Sequence, residues 1–150
     1  MLRPLRAAAL LLVLLALAPG APAARAADAV AGLTEADRAA IREVVGSQLA
    51  AFRRDDGAAA YAFASPMIQQ MFPSAEVFMT MVRTGYLPVY RPREVEFRGL
   101  VDFRGEPTQL VLLVGPDGVA VLAHYMMQRQ PDGTWRINGC VLSEAADQTA

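Results

Sequence analysis

The chain has 150 residues, 54% of them hydrophobic, and a formal net charge of -1. All 14 of its basic residues are arginines, which excludes lysine Schiff-base chemistry and a lysine-bearing phosphate loop. Cys140 and His124 are the single cysteine and the single histidine. Neither an internal disulfide nor a zinc or copper site is expected from them, no other cofactor is implied, and the charge argues against non-specific nucleic-acid binding.

Residues 1–26 read as a cleavable secretory signal. Arg3 and Arg6 precede an unbroken apolar run from Ala7 to Ala18, Pro19-Gly20 breaks it, and small residues follow. The run is too short to span a bilayer comfortably. Ala24-Arg25-Ala26 is the best cleavage triplet. The mature chain is expected in the periplasm or medium, with no membrane anchor left. Loss of Arg3, Arg6 and Arg25 leaves 11 arginines against 15 acids, a net charge of -4.

Residues 27–33 form a short leading segment. Thr34 with Asp37 resembles a capping box and starts a helix. Ile41, Val44, Val45, Leu49 and Phe52 fall at helical spacing on one face, and the helix should stop near Arg54. Asp56 caps a short second helix from Gly57 to Ala64. Ser65-Pro66 starts one and a half turns over Met67 to Phe72, since proline suits the first helical position. Ala75 to Thr84 makes a third main helix, stopped by Gly85. With two prolines four apart, Tyr86 to Arg93 should be an extended crossover.

Beyond it the period changes to two. Val95, Phe97, Val101 and Phe103 alternate with Glu94, Glu96, Arg98, Asp102 and Arg104. Strands follow over Thr108 to Val114, Val119 to Gln130 and Thr134 to Ser143. Two Pro-Asp-Gly turns join them, because proline presets the first turn residue and glycine accepts positive φ. The expectation is one α+β domain over 34–144: three N-terminal helices on a curved four-stranded antiparallel meander, then a frayed tail over 145–150.

Several segments resemble one bacterial family. They are Gln48 to Phe52 with Asp55-Asp56, Ala62-Phe63-Ala64-Ser65-Pro66, Phe78 to Val82, Tyr86, Pro88-Val89-Tyr90-Arg91-Pro92, and Trp135-Arg136-Ile137 with Gly139-Cys140. The likeness runs from about Ile41 to Leu142, to the family catalogued as domain of unknown function 4864. That family is similar to the nuclear transport factor 2-like superfamily. The resemblance implies a cone-shaped fold, often with a pocket inside, and carries over no catalytic residue.

Four residues are candidates for ligand contact. Tyr90, held between prolines and next to Arg91, could sit over a ligand while the arginine takes an anion. His124 and Tyr125 suggest acid/base work, but strand neighbours point to opposite faces. The strand carboxylates Glu94, Glu96 and Asp102 read as a solvated face. The methionines, including Met67, Met71, Met79, Met81, Met126 and Met127, read as core filling rather than as metal ligands. Cys140 reads as a small, inert strand residue. The favoured role is binding of a small apolar or amphipathic molecule or of a partner protein. The alternative is a small lyase or isomerase using Tyr90, His124 or Tyr125.

The central strands are apolar on both faces, through Leu110 to Val114 and Val119 to Ala123. One face covers the helices, and symmetric self-association covers the other. The expected outcome for protein isolated from cells is a mature start near Ala27 by N-terminal sequencing and a mass of two chains by light scattering. An intact Met1 in the cytoplasm removes the first expectation. A one-chain mass that is unchanged on concentration removes the second.

Overall fold

The computed structural model describes residues 30–145. The expected signal, the first part of the leading segment and residues 146–150 lie outside them. Five helices precede four strands among the described residues: α1 Glu35–Arg53, α2 Gly57–Ala62, α3 Pro66–Met71, α4 Ala75–Gly85 and α5 Leu87–Tyr90, then β1 Glu94–Phe103, β2 Glu106–Val114, β3 Ala120–Arg129 and β4 Trp135–Glu144. The sheet is antiparallel in the order β1-β2-β3-β4. The helices pack against it, which makes the domain α+β. No helix among the described residues is long and apolar enough to cross a membrane.

Two expectations need correction. There are five helices rather than three: the short segments capped by Asp56 and Ser65 are α-helices of their own beside the two longer ones, and α5 is a fifth. The segment after Tyr86 is not an extended crossover but the one-turn helix α5. Pro88 sits in its first turn, where a missing N–H costs no helical hydrogen bond. Arg91 N then donates to Leu87 O at 2.9 Å, and Pro92 follows the end.

The α1 start is tied to the far end of the sheet. Thr34 Oγ1 accepts from Asp37 N at 3.1 Å, and Asp37 Oδ2 accepts from Thr34 N at 3.0 Å. Asp37 Oδ1 also accepts from Trp135 Nε1 at 3.2 Å and pairs with Arg129 at 3.2 Å. One carboxylate therefore caps a helix and fixes it to β3 and β4. These hydrogen bonds, from Thr34 first and then Trp135, hold its carboxyl below the usual range.

The core lies between α1, α4 and the inner sheet face. Ile41, Val45, Phe52, Val111, Leu113, Ala123, Tyr125 and Met127 are each at most 1% exposed. Full burial of a side chain of the size of Phe52 or Leu113 stabilises by about 1.5–3 kcal/mol.

The β1 face reading also needs correction. The partner of Phe97 is Val111 and that of Leu100 is Gln109, so β1 carries one extra residue at Arg98-Gly99. An odd insertion reverses the faces beyond it. Leu100 joins the core, while Val101 is exposed and the Phe103 ring lies 5.6 Å from the His124 ring on the outer face. Asp102 turns with them and is not a solvated face residue. Its Oδ1 accepts from Gly105 N at 3.0 Å, and its Oδ2 is buried without a partner. Gln109 Nε2 donates to Arg98 O at 2.7 Å, which satisfies a carbonyl that the bulge releases from the ladder. Arg104 and Gly105 both have positive φ and close β1 to β2 in a two-residue turn.

Thr34→Ala is expected to lower the unfolding free energy by about 1 kcal/mol, the usual loss for a helix cap. Asp37→Ala is expected to cost more, since it also strips Trp135 and Arg129 of their partner. Its depressed pKa adds a pH signature: the Asp37 contribution is present above about pH 4 and is lost as pH falls through the folded-state value. Urea denaturation of both variants checks the order.

Candidate functional site

A cavity of about 300 Å³ lies between the helical layer and the β3–β4 side of the sheet. α1 supplies Gln48 and Phe52, and α3 supplies Ile68 and Met71. Phe78, Met81 and Val82 come from α4, with Phe72, Tyr86 and Val89 nearby. The sheet contributes Tyr125, Met126, Ile137, Gly139 and Cys140. The lining is almost wholly apolar and contains no Asp, Glu, His, Lys or Arg.

The wall is set by a short pairing at the sheet edge. Ser65 N donates to Ile137 O at 2.8 Å and Ile137 N donates to Phe63 O at 2.9 Å, a parallel bridge between Ala64 and Ile137. Met126 opposes Gly139 and Met127 opposes Ile137, so Asn138 is an extra residue on β4. Its side chain is used: Asn138 Oδ1 accepts from Ser65 Oγ at 2.7 Å and Nδ2 donates to Glu106 at 2.7 Å. Ser65 caps α3, and α3 then carries Ile68 and Met71 along the cavity.

Gly139 and Met126 share space across the β3–β4 pair. A Cβ there would stand 2.7 Å from Met126 Cε. The missing side chain lets Met126 lie across β4 to the cavity margin. The aromatic floor is held in part by Tyr61, whose ring lies 5.6 Å from Phe78 and whose hydroxyl donates to Phe72 O at 2.5 Å.

Three of the polar groups on the lining differ in their commitments. Gln48 Nε2 donates to Ala60 O at 3.1 Å. The Tyr86 hydroxyl donates to Cys140 O at 3.0 Å, and burial raises its pKa. Tyr125 is 1% exposed, and its hydroxyl has no hydrogen-bond partner. Its cross-strand neighbour on the same face is Cys140. Burial first, then Cys140, pushes the Tyr125 pKa well above the usual tyrosine range. Cys140 keeps some surface, but that surface faces the apolar cavity. Burial therefore still governs its thiol, pushing it up to about 12 against a smaller opposing pull from Tyr125.

The four candidates from sequence fall in three places. Tyr125 alone lines the cavity. His124 lies on the outer sheet face opposite Leu110 and Val141; its Nε2 is 3.0 Å from Ser143 Oγ, and its Nδ1 has no partner. Tyr90 and Arg91 form a network at the end of α1. The Tyr90 hydroxyl donates to Asp55 Oδ1, Arg91 Nη2 pairs with Asp55 Oδ2 at 2.8 Å, and Arg91 Nη1 donates to Phe52 O. The Tyr90 bond, then the Arg91 bond, lowers the Asp55 pKa. The arginine caps carbonyls at a helix C-terminus and pairs with the exposed Asp55 carboxylate of the same chain. Gln48, Met71, Met81, Tyr86 and Cys140 were not marked from sequence as ligand contacts. Each is an ordinary apolar or amide position in its own element, and only packing brings them together.

The thiol shift has a measurable consequence. Unfolded, Cys140 loses its proton near pH 9; folded, it holds it to about 12. Below pH 9 both states are protonated, so the effect on stability begins there. Between 9 and 12 the unfolded state binds fewer protons, so stability falls as pH rises, by at most about 1.4 kcal/mol per pH unit from this group. Chemical denaturation from pH 8 to 11 should show that fall, and Cys140→Ala should flatten it while leaving the Tyr125 contribution above pH 10. Equal slopes in both proteins would refute it. Native Cys140 should also react slowly with thiol reagents at pH 8, because it is protonated.

No curated protein and no solved structure matches the chain. A family model described as domain of unknown function DUF4864 matches residues 34–150, which include every element of the fold and every residue of the cavity lining. With that match across most of its length, the chain belongs to the DUF4864 family.

Proposed function

We propose that this domain is an exported binding protein for a small apolar molecule, held in the cavity between α1, α3, α4 and β4. The observation that carries the reading is the lining itself: a space of about 300 Å³ walled almost wholly by apolar side chains, with Gln48, Tyr86 and Cys140 among them. Binding pockets are concave, mostly apolar and marked by a few polar groups. Methionines suit this use, because an unbranched thioether chain adapts to the shape of its contact. Met71, Met81 and Met126 take that role here. Support for export comes from the apolar run from Ala7 to Ala18 with its flanks. Helices on one face of an antiparallel meander, with a cavity between, also support a place among the nuclear transport factor 2-like cones.

The lining supports binding over catalysis. A lyase or isomerase needs a base at the reacting carbon, and among the described residues no carboxylate or imidazole lines this cavity.

An apolar cavity of about 150 Å³ takes up benzene, so twice that space fits roughly ten to fifteen heavy atoms. Naphthalene is a probe of that size. It should bind saturably, one per chain, in a ligand-observed NMR titration. Met81→Trp, which fills the cavity from α4, should weaken binding at least about tenfold. Failure of the wild-type protein to bind naphthalene overturns the proposal.

A further inference from the structure

We infer that the ligand of this cavity is a neutral molecule with a hydrogen-bond donor at one end, and that it enters donor first, bonding to Gln48 Oε1 with its apolar body toward Met71. The inference rests on the cavity being the binding site, and it names the ligand class and its orientation.

Gln48 lies on the core stripe of α1, three residues after Val45 and four before Phe52. It is 3% exposed and borders the cavity. A buried carboxamide is costly unless both of its ends find partners. The nitrogen has a structural use: Nε2 donates to Ala60 O at 3.1 Å, and that carbonyl belongs to the last turn of α2, where Ala64 N bonds to Tyr61 O. The oxygen has no such use, since among the described residues nothing donates to it. Nor is it one of the unpartnered polar atoms sealed from any surface, which are Asp102 Oδ2, His124 Nδ1 and the Tyr125 hydroxyl. Gln48 Oε1 is therefore an acceptor that is both free and accessible. Turning the amide over would set two oxygens together, so Ala60 holds the nitrogen toward α2 and the oxygen away from it. α2 contributes nothing to the lining, so the side of the amide turned from α2 is the side that borders the cavity.

The remaining polar groups decide the sign. The Tyr86 hydroxyl is spent on Cys140 O, and the Cys140 thiol is a weak donor. The lining thus calls for a donor from the ligand. It carries no cationic or anionic side chain, so a carboxylate or an ammonium there would lose its water without gaining a counter-ion. Orientation follows from depth. Gln48, Phe52, Val82 and Val89 are each at most 3% exposed, whereas Met71 is 62% exposed. The free acceptor is at the closed end and an apolar side chain is at the open end. The class that fits is a small phenol, alcohol or lactam, with one O–H or N–H at the end of an apolar body.

Four probes of one shape test this at pH 7, where naphthol keeps its proton: naphthalene, 2-naphthol, 2-methoxynaphthalene and 2-naphthoate. In the wild type, 2-naphthol should bind about tenfold tighter than its methyl ether, which has the oxygen but no donor, and at least about tenfold tighter than 2-naphthoate. Gln48→Met keeps the length of the side chain and removes the acceptor. In that variant the preference for naphthol over the ether should vanish while naphthalene still binds, and in Tyr86→Phe it should remain. A thermal melt checks that both variants fold. Nuclear Overhauser contacts in the wild type need no variant: naphthol H1 and H3 should meet the Gln48 side-chain amide protons, and H6 and H7 the Met71 methyl. The reverse set of contacts overturns the inference, as does an ether or naphthoate that binds as tightly as naphthol, or a naphthol preference that survives Gln48→Met. If naphthalene binds and naphthol gains nothing, the ligand class falls while the cavity stands as a site. If naphthalene itself does not bind, both fall.

Discussion

The helical layer meets the sheet through a short stretch of backbone, and the cavity depends on it. Phe63 and Ser65 pair with Ile137 at the exposed side of β4, so three residues between helices act as a fragment of a fifth strand. An edge strand has unpaired N–H and C=O groups, and this pairing satisfies one of each. It also fixes where α3 begins, because Ser65 is both a pairing residue and the α3 cap. The bulge at Asn138 frees a side chain to bond Ser65 as well. Displacing this junction would move Ile68 and Met71 relative to Gly139 and Cys140, and the cavity would lose its wall.

The cavity is bounded by side chains that already have other commitments. Phe52 and Phe78 stack at 6.3 Å, the Tyr61 hydroxyl bonds to Gln69 O in α3 and to Phe72 O just after it, and Tyr86 bonds the β4 backbone. Protein interiors fill space to the density of organic crystals, so an open apolar volume of this size forfeits dispersion contacts. The Tyr125 hydroxyl is one of three buried polar atoms without a partner among the described residues, with Asp102 Oδ2 and His124 Nδ1 away from the cavity.

The outer sheet face has a different character. Leu110, Leu112 and Leu122 are half-buried there, Val101 and Val141 are exposed, and His124 stands among them against Phe103. The two charged residues at the start of β1, Glu94 and Glu96, remain at its edge. The two faces thus divide the sequence candidates, with Tyr125 toward the cavity and its neighbour His124 away from it, as the strand period requires.

Local signals in the sequence determined most of the elements. Capping residues, proline positions, helical spacing and the two Pro-Asp-Gly turns are each decided within a few residues, so α1, α4 and the four-stranded meander were legible from the chain alone. Family membership was legible for the same reason, through short segments such as Pro88 to Pro92. What sequence could not supply was parity. One extra residue at Arg98-Gly99 reversed the faces of Val101, Asp102 and Phe103, and a bulge depends on what the partner strand offers, here the Gln109 amide. The one-turn α5 was missed because proline spacing was read without the tertiary contacts that hold it; Arg91 bonds to Phe52 O and Asp55, far away in sequence. The cavity lay further out of reach. Its polar residues come from α1, the α4–α5 junction, β3 and β4, and whether a hydroxyl has a partner is a property of the folded neighbourhood rather than of the residue. Chain-local chemistry set the elements, and only three-dimensional packing decided that Tyr125, and not His124, Tyr90 or Arg91, would belong to the cavity wall.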